Sequence, residues 1–357
     1  MFGKAAAPQS MTLHVDAAQI DDLIGFPRAV VFSQPTALES LSNLSADCGG
    51  TKLFVKRDDC NSPALGGNKV RQLEYYFGDA LANGCDTVLI TGAVQSNFAR
   101  ITAGFAAKLG MQCHIQLESR VDTSSHFYHS SGNVLLDRLF GARLHYLSEG
   151  ENETAADAAL EELADRLRSQ GHKPYVIHLA PGRKPLGALG YVRGAAEIVL
   201  QLRDQNLRID EIFVASGSGS THAGLLFGLR ALGCKMPVTG VCVRRDKHLQ
   251  VSRIRTHCGK LVSMLNFDPC LQDDDFVLTD EVFSPGYGQA SPSVWDAIVR
   301  AARREGLILD PTYSGKTMAA FLSRAQQSPS DSHLLFIHTG GTPGVFAYQD
   351  QLEKHLS

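Results

Sequence analysis

Short apolar runs and longer stretches of helical periodicity alternate along most of this chain. After an amphipathic segment that starts at Pro35, Lys52-Leu53-Phe54-Val55-Lys56-Arg57 alternates as a short strand and ends in the charged turn Asp58-Asp59. The pattern then predicts a helix over 71–82, a strand over 87–90, a helix over 98–109 and a strand over 113–117. It continues with a helix over 133–140, a strand over 144–147, an acidic, alanine-rich surface helix over 151–170 and a strand over 175–179. Ala180-Pro181-Gly182-Arg183-Lys184-Pro185 breaks the alternation and marks a domain boundary. Beyond it come a long helix over 186–202, a strand over 211–215, a helix over 222–232, strand 238–243 and a last strand over 334–338. Strands and helices in this order are βαβ units, so the fold class is α/β with parallel sheets. No internal repeat or low-complexity linker interrupts them.

The loops between these elements carry the chemistry. Leu65-Gly66-Gly67-Asn68-Lys69 places one lysine behind two glycines, just ahead of a helix. Glycine lets a backbone approach a ligand closely, and the positive end of a helix lowers an amine's pKa. A neutral lysine amine is the nucleophile that forms Schiff bases with carbonyls, most often that of pyridoxal phosphate. Ser216-Gly217-Ser218-Gly219-Ser220-Thr221 joins a strand to a helix, where backbone N–H groups and hydroxyls can cradle a phosphate. A dinucleotide fingerprint would need glycine where His222 stands, and a nucleophile elbow would need glycines at Ser216 and Ser220. Gly315-Lys316-Thr317 has Asp310 where a P-loop opens with glycine. These exclusions leave a monophosphate cradle. Gln95-Ser96-Asn97, at another strand-to-helix turn, can hold a carboxylate or simply cap the helix. Tyr287 and Tyr313 lie in glycine-flanked loops.

Composition narrows the partners. The chain has 357 residues, 44% hydrophobic and 20% charged, long enough for two compact domains, and its formal net charge of -3 leaves no footprint for nucleic acid. Eight scattered cysteines contain no C-x-x-C pair, so neither a zinc site nor a disulfide framework is expected, and no metal is implied. Residues 1–20 contain no continuous apolar run of the signal-peptide or membrane-anchor kind. The expectation is a cytoplasmic protein without membrane partners, so the acceptor-like triplets at Asn43 and Asn152 are discounted.

Taken together, Lys56-Arg57-Asp58-Asp59, Gly66-Gly67-Asn68-Lys69, Gly92 to Asn97, Gly187-Ala188-Leu189-Gly190-Tyr191, Ala215 to Ser218, Thr221 to Gly224, Pro285 to Gly288, Leu309-Asp310-Pro311, Tyr313, Gly315-Lys316 and His338 to Gly341 carry a resemblance. From about Phe26 to Tyr348 the chain resembles the fold-type II pyridoxal-phosphate enzymes, in particular the D-cysteine desulfhydrase and 1-aminocyclopropane-1-carboxylate (ACC) deaminase group. The resemblance implies a tryptophan synthase β-like fold of two open, twisted, mostly parallel sheets flanked by helices. Residues 1–65 plus 186–357 would form a large phosphate-binding domain and 66–185 a small domain carrying the lysine.

The resemblance also assigns roles. Lys69 matches the Schiff-base lysine, and Gly217, Ser218, Gly219, Ser220 and Thr221 match the phosphate cradle. Ser96 and Asn97 match the residues at the substrate carboxylate and cofactor hydroxyl, with Gln95 and Phe98 beside them and Asn68 next to the lysine. Tyr287 and Tyr313 match the active-site tyrosines, while Ser314 and Thr339 lie where the family places groups near the pyridine ring. The implied cofactor is pyridoxal phosphate, the substrate a small amino acid, and the assembly a homodimer.

Three departures bear on substrate. ACC deaminases carry glutamate directly after the second tyrosine; here it is Ser314, and a neutral group favours β-elimination over ring opening. Phe98 replaces a polar residue, and Arg183-Lys184 replaces a neutral segment. The expected reaction is conversion of D-cysteine and water to pyruvate, sulfide and ammonia. ACC deamination is an alternative, as is a sulfo-lyase reaction on cysteate if Arg183 and Lys184 recognise an anionic side chain. A phosphate-ligand binding protein without turnover is the alternative of another class.

Overall fold

The computed structural model describes residues 14–148, 150, 152–179 and 183–356. Its strands are β1 (Leu38–Ser40), β2 (Lys52–Lys56), β3 (Thr87–Ala93), β4 (Gln112–Glu118), β5 (Arg143–Leu147), β6 (Pro174–Ile177), β7 (Glu211–Ser216), β8 (Val238–Cys242), β9 (Leu278–Thr279) and β10 (His333–Ile337). They form a six-stranded sheet ordered β1-β2-β10-β7-β8-β9 and a four-stranded sheet ordered β5-β4-β3-β6. Every pairing is parallel except β1 against β2. Every residue of β3 and β8 is buried, because helices cover both faces of a parallel sheet.

The helices Asn68–Ala82, Asn97–Leu109, Leu186–Asp204 and Ser220–Ala231 follow the predicted ones within a few residues. Ala180, Pro181 and Gly182 of the expected break, and residue 151 at the start of the expected acidic helix, lie outside the described residues. That helix is seen as Glu153–Ser169. Within the amphipathic segment after Pro35, Leu38–Ser40 pairs as an antiparallel edge strand. The C-terminal half also contains helices Lys247–Leu265, Pro292–Glu305 and Ser314–Gln327.

The Asn68–Ala82 helix shares one core with the helices Asn97–Leu109, Leu186–Asp204 and Ser220–Ala231: Val70, Leu73, Phe77, Ile101, Ala188, Val192 and Phe227 are all buried in it. Its start is tied down by a buried polar network. Asp58 accepts from Arg71 Nη2 at 2.8 Å, from Thr36 Oγ1 at 2.7 Å and from the Tyr191 hydroxyl at 2.5 Å. Glu197 accepts from Arg71 Nη1 at 2.8 Å and from Lys56 Nζ at 2.5 Å. Burial works to raise the Asp58 pKa, but the Arg71 charge and hydrogen bonds outweigh it and hold the carboxyl at about 2.

The loops after β2, β3, β7 and β10 leave the carboxyl ends of parallel strands, where open α/β sheets place their ligands. These loops and the helix starts that follow them carry Lys69, Ser96, Gly217 to Thr221, and Thr339 respectively.

Candidate active site

Lys69 is the second residue of its helix, and Gly67 caps the helix start with φ 121°. A Cβ at Gly67 would meet the Thr339 carbonyl oxygen at 2.9 Å, so glycine is required for this approach. The Gly67 N–H donates to Asp58 O at 2.9 Å and the Asn68 N–H to Thr339 O at 3.0 Å. The lysine is thereby fixed between the ends of β2 and β10. Its Nζ donates to Gln72 Oε1 at 3.2 Å and sits 4.7 Å from the centre of the Phe98 ring. Burial lowers its pKa to about 8, which makes this amine readily neutral. Phe98 is part of the surface that keeps water away.

The loop after β7 meets the requirements of a phosphate cradle. Gly219 has φ 98°, and a Cβ there would meet the His257 ring at 2.9 Å. Ser220 and Thr221 open the helix that follows, so their N–H groups lie in the first turn, where no intrahelical partner exists. Thr221 Oγ1 accepts from Asn68 Nδ2 at 2.8 Å and Gln72 Nε2 at 2.7 Å. The lysine helix and the phosphate helix are thus joined at one hydroxyl. Arg253 Nε and His257 Nε2 contact the Ser218 carbonyl oxygen from behind, at 2.7 and 3.1 Å.

Ser96 caps the helix Asn97–Leu109, its Oγ accepting from the Ala99 N–H at 3.1 Å. A serine hydroxyl that accepts at a cap still has its proton to donate, so capping and carboxylate binding are compatible. Asn97 Oδ1 accepts from Asn133 Nδ2 at 2.9 Å.

Tyr287 and Tyr313 meet with their hydroxyl oxygens 2.6 Å apart. Tyr313 is the residue before the helix Ser314–Gln327, and Asp310 builds that turn by accepting from the N–H groups of Thr312, Tyr313 and Ser314 at 3.0, 2.9 and 2.9 Å. The loop bearing Tyr287 is held by Lys316 Nζ, which donates to the Phe283 and Gly286 carbonyls at 2.8 and 2.7 Å. Burial raises the Tyr313 pKa, Tyr287 adds to the rise and the Arg120 charge opposes it.

These groups converge on one cleft. Asn68, Lys69, Ser96, Asn97, Phe98, Gly217, Ser218, Gly219, Thr221, Tyr287, Tyr313 and Thr339, all expected from sequence, line it. Three expected residues are not in the lining. Gln95 spends its side chain on the backbone of Tyr128, Ser131 and Asn133. Ser220 faces a smaller neighbouring cavity. Ser314 donates to Asp310 Oδ1 at 2.6 Å. Arg183 and Lys184 are exposed and border that smaller cavity, outside the main cleft. Positive charge reaches the cleft instead from Arg120, Arg244 and Arg253. Sequence reasoning missed all three, because β4 and β8 end without the glycine-rich turns that flag a binding loop and Arg253 lies within the helix Lys247–Leu265.

A family model described as pyridoxal-phosphate dependent enzyme matches residues 32–340. A D-cysteine desulfhydrase of Serratia proteamaculans is 41% identical over 332 residues, 92% of this chain and 98% of the relative. A D-cysteine desulfhydrase of Klebsiella pneumoniae is 40% identical over 335 residues, 93% and 99% of the two chains. The crystal structure of an ACC deaminase homologue superposes with a TM-score of 0.84 at 34% identity, covering 95% of this chain and 99% of that one. O-ureido-L-serine synthase shares the fold, with a TM-score of 0.62 at 19% identity. The glycine-lined loop at a helix start and Lys69, its pKa lowered by burial, fit the phosphate and the aldehyde of that cofactor, and the chain belongs to the pyridoxal-phosphate dependent enzyme family.

Proposed function

We propose that this chain is a D-cysteine desulfhydrase, releasing sulfide from Cβ of D-cysteine and yielding pyruvate and ammonia. One observation carries the reading: a desolvated lysine amine and a hydrogen-bonded tyrosine pair line the same cleft. The 40–41% identity to D-cysteine desulfhydrases over nearly the whole length supports it.

Pyridoxal phosphate supplies an electron sink for the bond that breaks at Cα. Asn68, Thr221 and the loop from Gly217 would hold it beside Lys69, whose amine would be its covalent partner. Ser96 Oγ, Asn97 and the start of their helix bind the substrate carboxylate. Lys69, neutral once freed, takes the Cα proton as general base. Tyr287 and Tyr313 share a proton across their hydrogen bond and deliver it to the departing sulfur. Phe98 keeps water from the lysine while the charge develops. The 2-aminoacrylate that leaves is hydrolysed to pyruvate and ammonia.

We further propose that residues 66–185 close as a unit over the substrate, and that the enzyme is a cytoplasmic homodimer. Exposed Leu135, Leu139 and Tyr146 support self-association, and eight free thiols support a reducing compartment. The test is to supply D-cysteine and L-cysteine separately to the purified holoenzyme. Sulfide and pyruvate in equal amounts from the D-isomer are expected; release from L-cysteine alone, or from neither, overturns the assignment.

A further inference from the structure

The two ends of an asparagine side chain do opposite things: the oxygen accepts and the nitrogen donates. Which end of Asn97 meets a ligand is decided behind the cleft, by a chain of contacts that each allow one direction only. The chain starts at Arg100, a fully buried residue of the same helix. A guanidinium only donates. Arg100 Nε lies 2.7 Å from a side-chain atom of Asn133, which must therefore be Oδ1. Arg100 also donates to the carbonyls of Ala64 and Gly66, so it is held in turn by the loop that leads to Lys69.

Asn133 is fully buried, and its own N–H is tied to Gln95 Oε1 at 2.9 Å. Its Nδ2 meets the Gln95 carbonyl oxygen at 3.0 Å, and a carbonyl oxygen only accepts. Both ends of the Asn133 amide are thus assigned twice over. The second Nδ2 proton goes to the Asn97 amide at 2.9 Å, so the atom that receives it is Oδ1. Asn97 Nδ2 is left as the other end of a side chain that lines the cleft, and among the described residues it donates to nothing.

We infer that Asn133 is a positioning residue: backed by Arg100, it fixes the Asn97 amide so that an N–H, and not an oxygen, meets an acceptor oxygen of the bound ligands. The inference rests on the reading that Asn97 binds ligand in this cleft, and the oxygen belongs to the substrate carboxylate or to the cofactor hydroxyl. Turned over, Asn97 would set its own oxygen against that acceptor, which is repulsive. Asn133 itself touches neither ligand and acts only through Asn97.

The experiment is a double-mutant cycle. Asn133→Asp keeps an acceptor for Arg100 but cannot donate to Asn97; Asn133→Ala repeats the cycle without added charge. Each is made in the wild type and in Asn97→Ala. Spectral titration of the holoenzymes gives Kd for D-alanine, which has a carboxylate but no β-leaving group, and for ethylamine, the same amine without the carboxylate. Equilibrium dialysis gives Kd for pyridoxal phosphate.

If the oxygen is the carboxylate's, Asn133→Asp and Asn97→Ala should each weaken D-alanine about 10-fold or more and leave ethylamine unchanged. If it is the cofactor's, the same loss should appear in the Kd for pyridoxal phosphate. In either case both Asn133 substitutions should cost less than about 2-fold once Asn97 is alanine. Equal losses in the two backgrounds overturn the inference, because Asn133 would then act on the fold as a whole. So do Asn133 variants that bind all three ligands as the wild type does. An Asn97→Ala enzyme unchanged toward all three sinks the reading of Asn97 and the inference with it. D-cysteine turnover enters none of these measurements, so failure of the desulfhydrase assignment would show separately.

Discussion

The hydroxyl oxygens of Tyr287 and Tyr313 lie 2.6 Å apart, although 26 residues separate them in the chain. Two unrelated devices produce this contact: the Asp310 carboxylate shapes the turn before Tyr313, and the Lys316 amine ties down the loop of Tyr287. If the pair delivers the leaving-group proton, Tyr287→Phe and Tyr313→Phe should each lower kcat on D-cysteine about 100-fold, the usual scale of general acid catalysis. Cofactor content should not change. Steady-state rates at saturating substrate check this, and an unaltered kcat in either variant removes that tyrosine from the proton path.

The sequence showed the repeating strands and helices and most of the cleft, because glycines, serines and asparagines cluster where strand ends meet ligand. It did not show the arginines. Arg120, Arg244 and Arg253 stand on two loops and a helix with no local signature. Arg183 and Lys184 misled for the converse reason: conspicuous in the sequence, they are exposed beside a neighbouring cavity. Gln95 and Ser314 stand next to lining residues, but their polar groups are satisfied within the scaffold.

Lys69 should show its environment in the pH dependence of cofactor capture. Burial holds its pKa at about 8, and the neutral amine is the reactive form. In stopped-flow mixing of cofactor-free protein with pyridoxal phosphate, the rate should rise with pH, reach half its maximum near pH 8 and level off above it. Phe98→Gln, which admits water beside Nζ, should move the midpoint upward. A midpoint that stays put would mean that Phe98 contributes nothing to the desolvation.

Thr221 Oγ1 is the single acceptor for both Asn68 and Gln72. Thr221→Val leaves the buried Gln72 amide and the half-buried Asn68 amide without it and removes a hydroxyl from the cradle. A rise of about 10-fold or more in the cofactor Kd is expected, about 1.4 kcal/mol or more. Equilibrium dialysis measures it, and an unchanged Kd would place the phosphate elsewhere.

Asp58 anchors the lysine helix from outside the cleft. Asp58→Asn strips a buried partner from Arg71 and should cost about 3–5 kcal/mol in stability, read from urea unfolding. The carboxyl is held at about 2 in the folded chain against 3.8 ordinarily. Its contribution is therefore full above pH 3.8 and is lost as pH falls through about 2. The mutant should be correspondingly less sensitive to acid over that window.

The most direct test of the whole account is made on wild type and Lys69→Ala, each saturated with pyridoxal phosphate, desalted, scanned in the visible range and then given D-cysteine. The wild type should keep its yellow cofactor and release pyruvate and sulfide in a one-to-one ratio. Lys69→Ala should lose that absorption and form neither product. A Lys69→Ala protein that stays yellow and still releases sulfide would contradict the central role of this lysine.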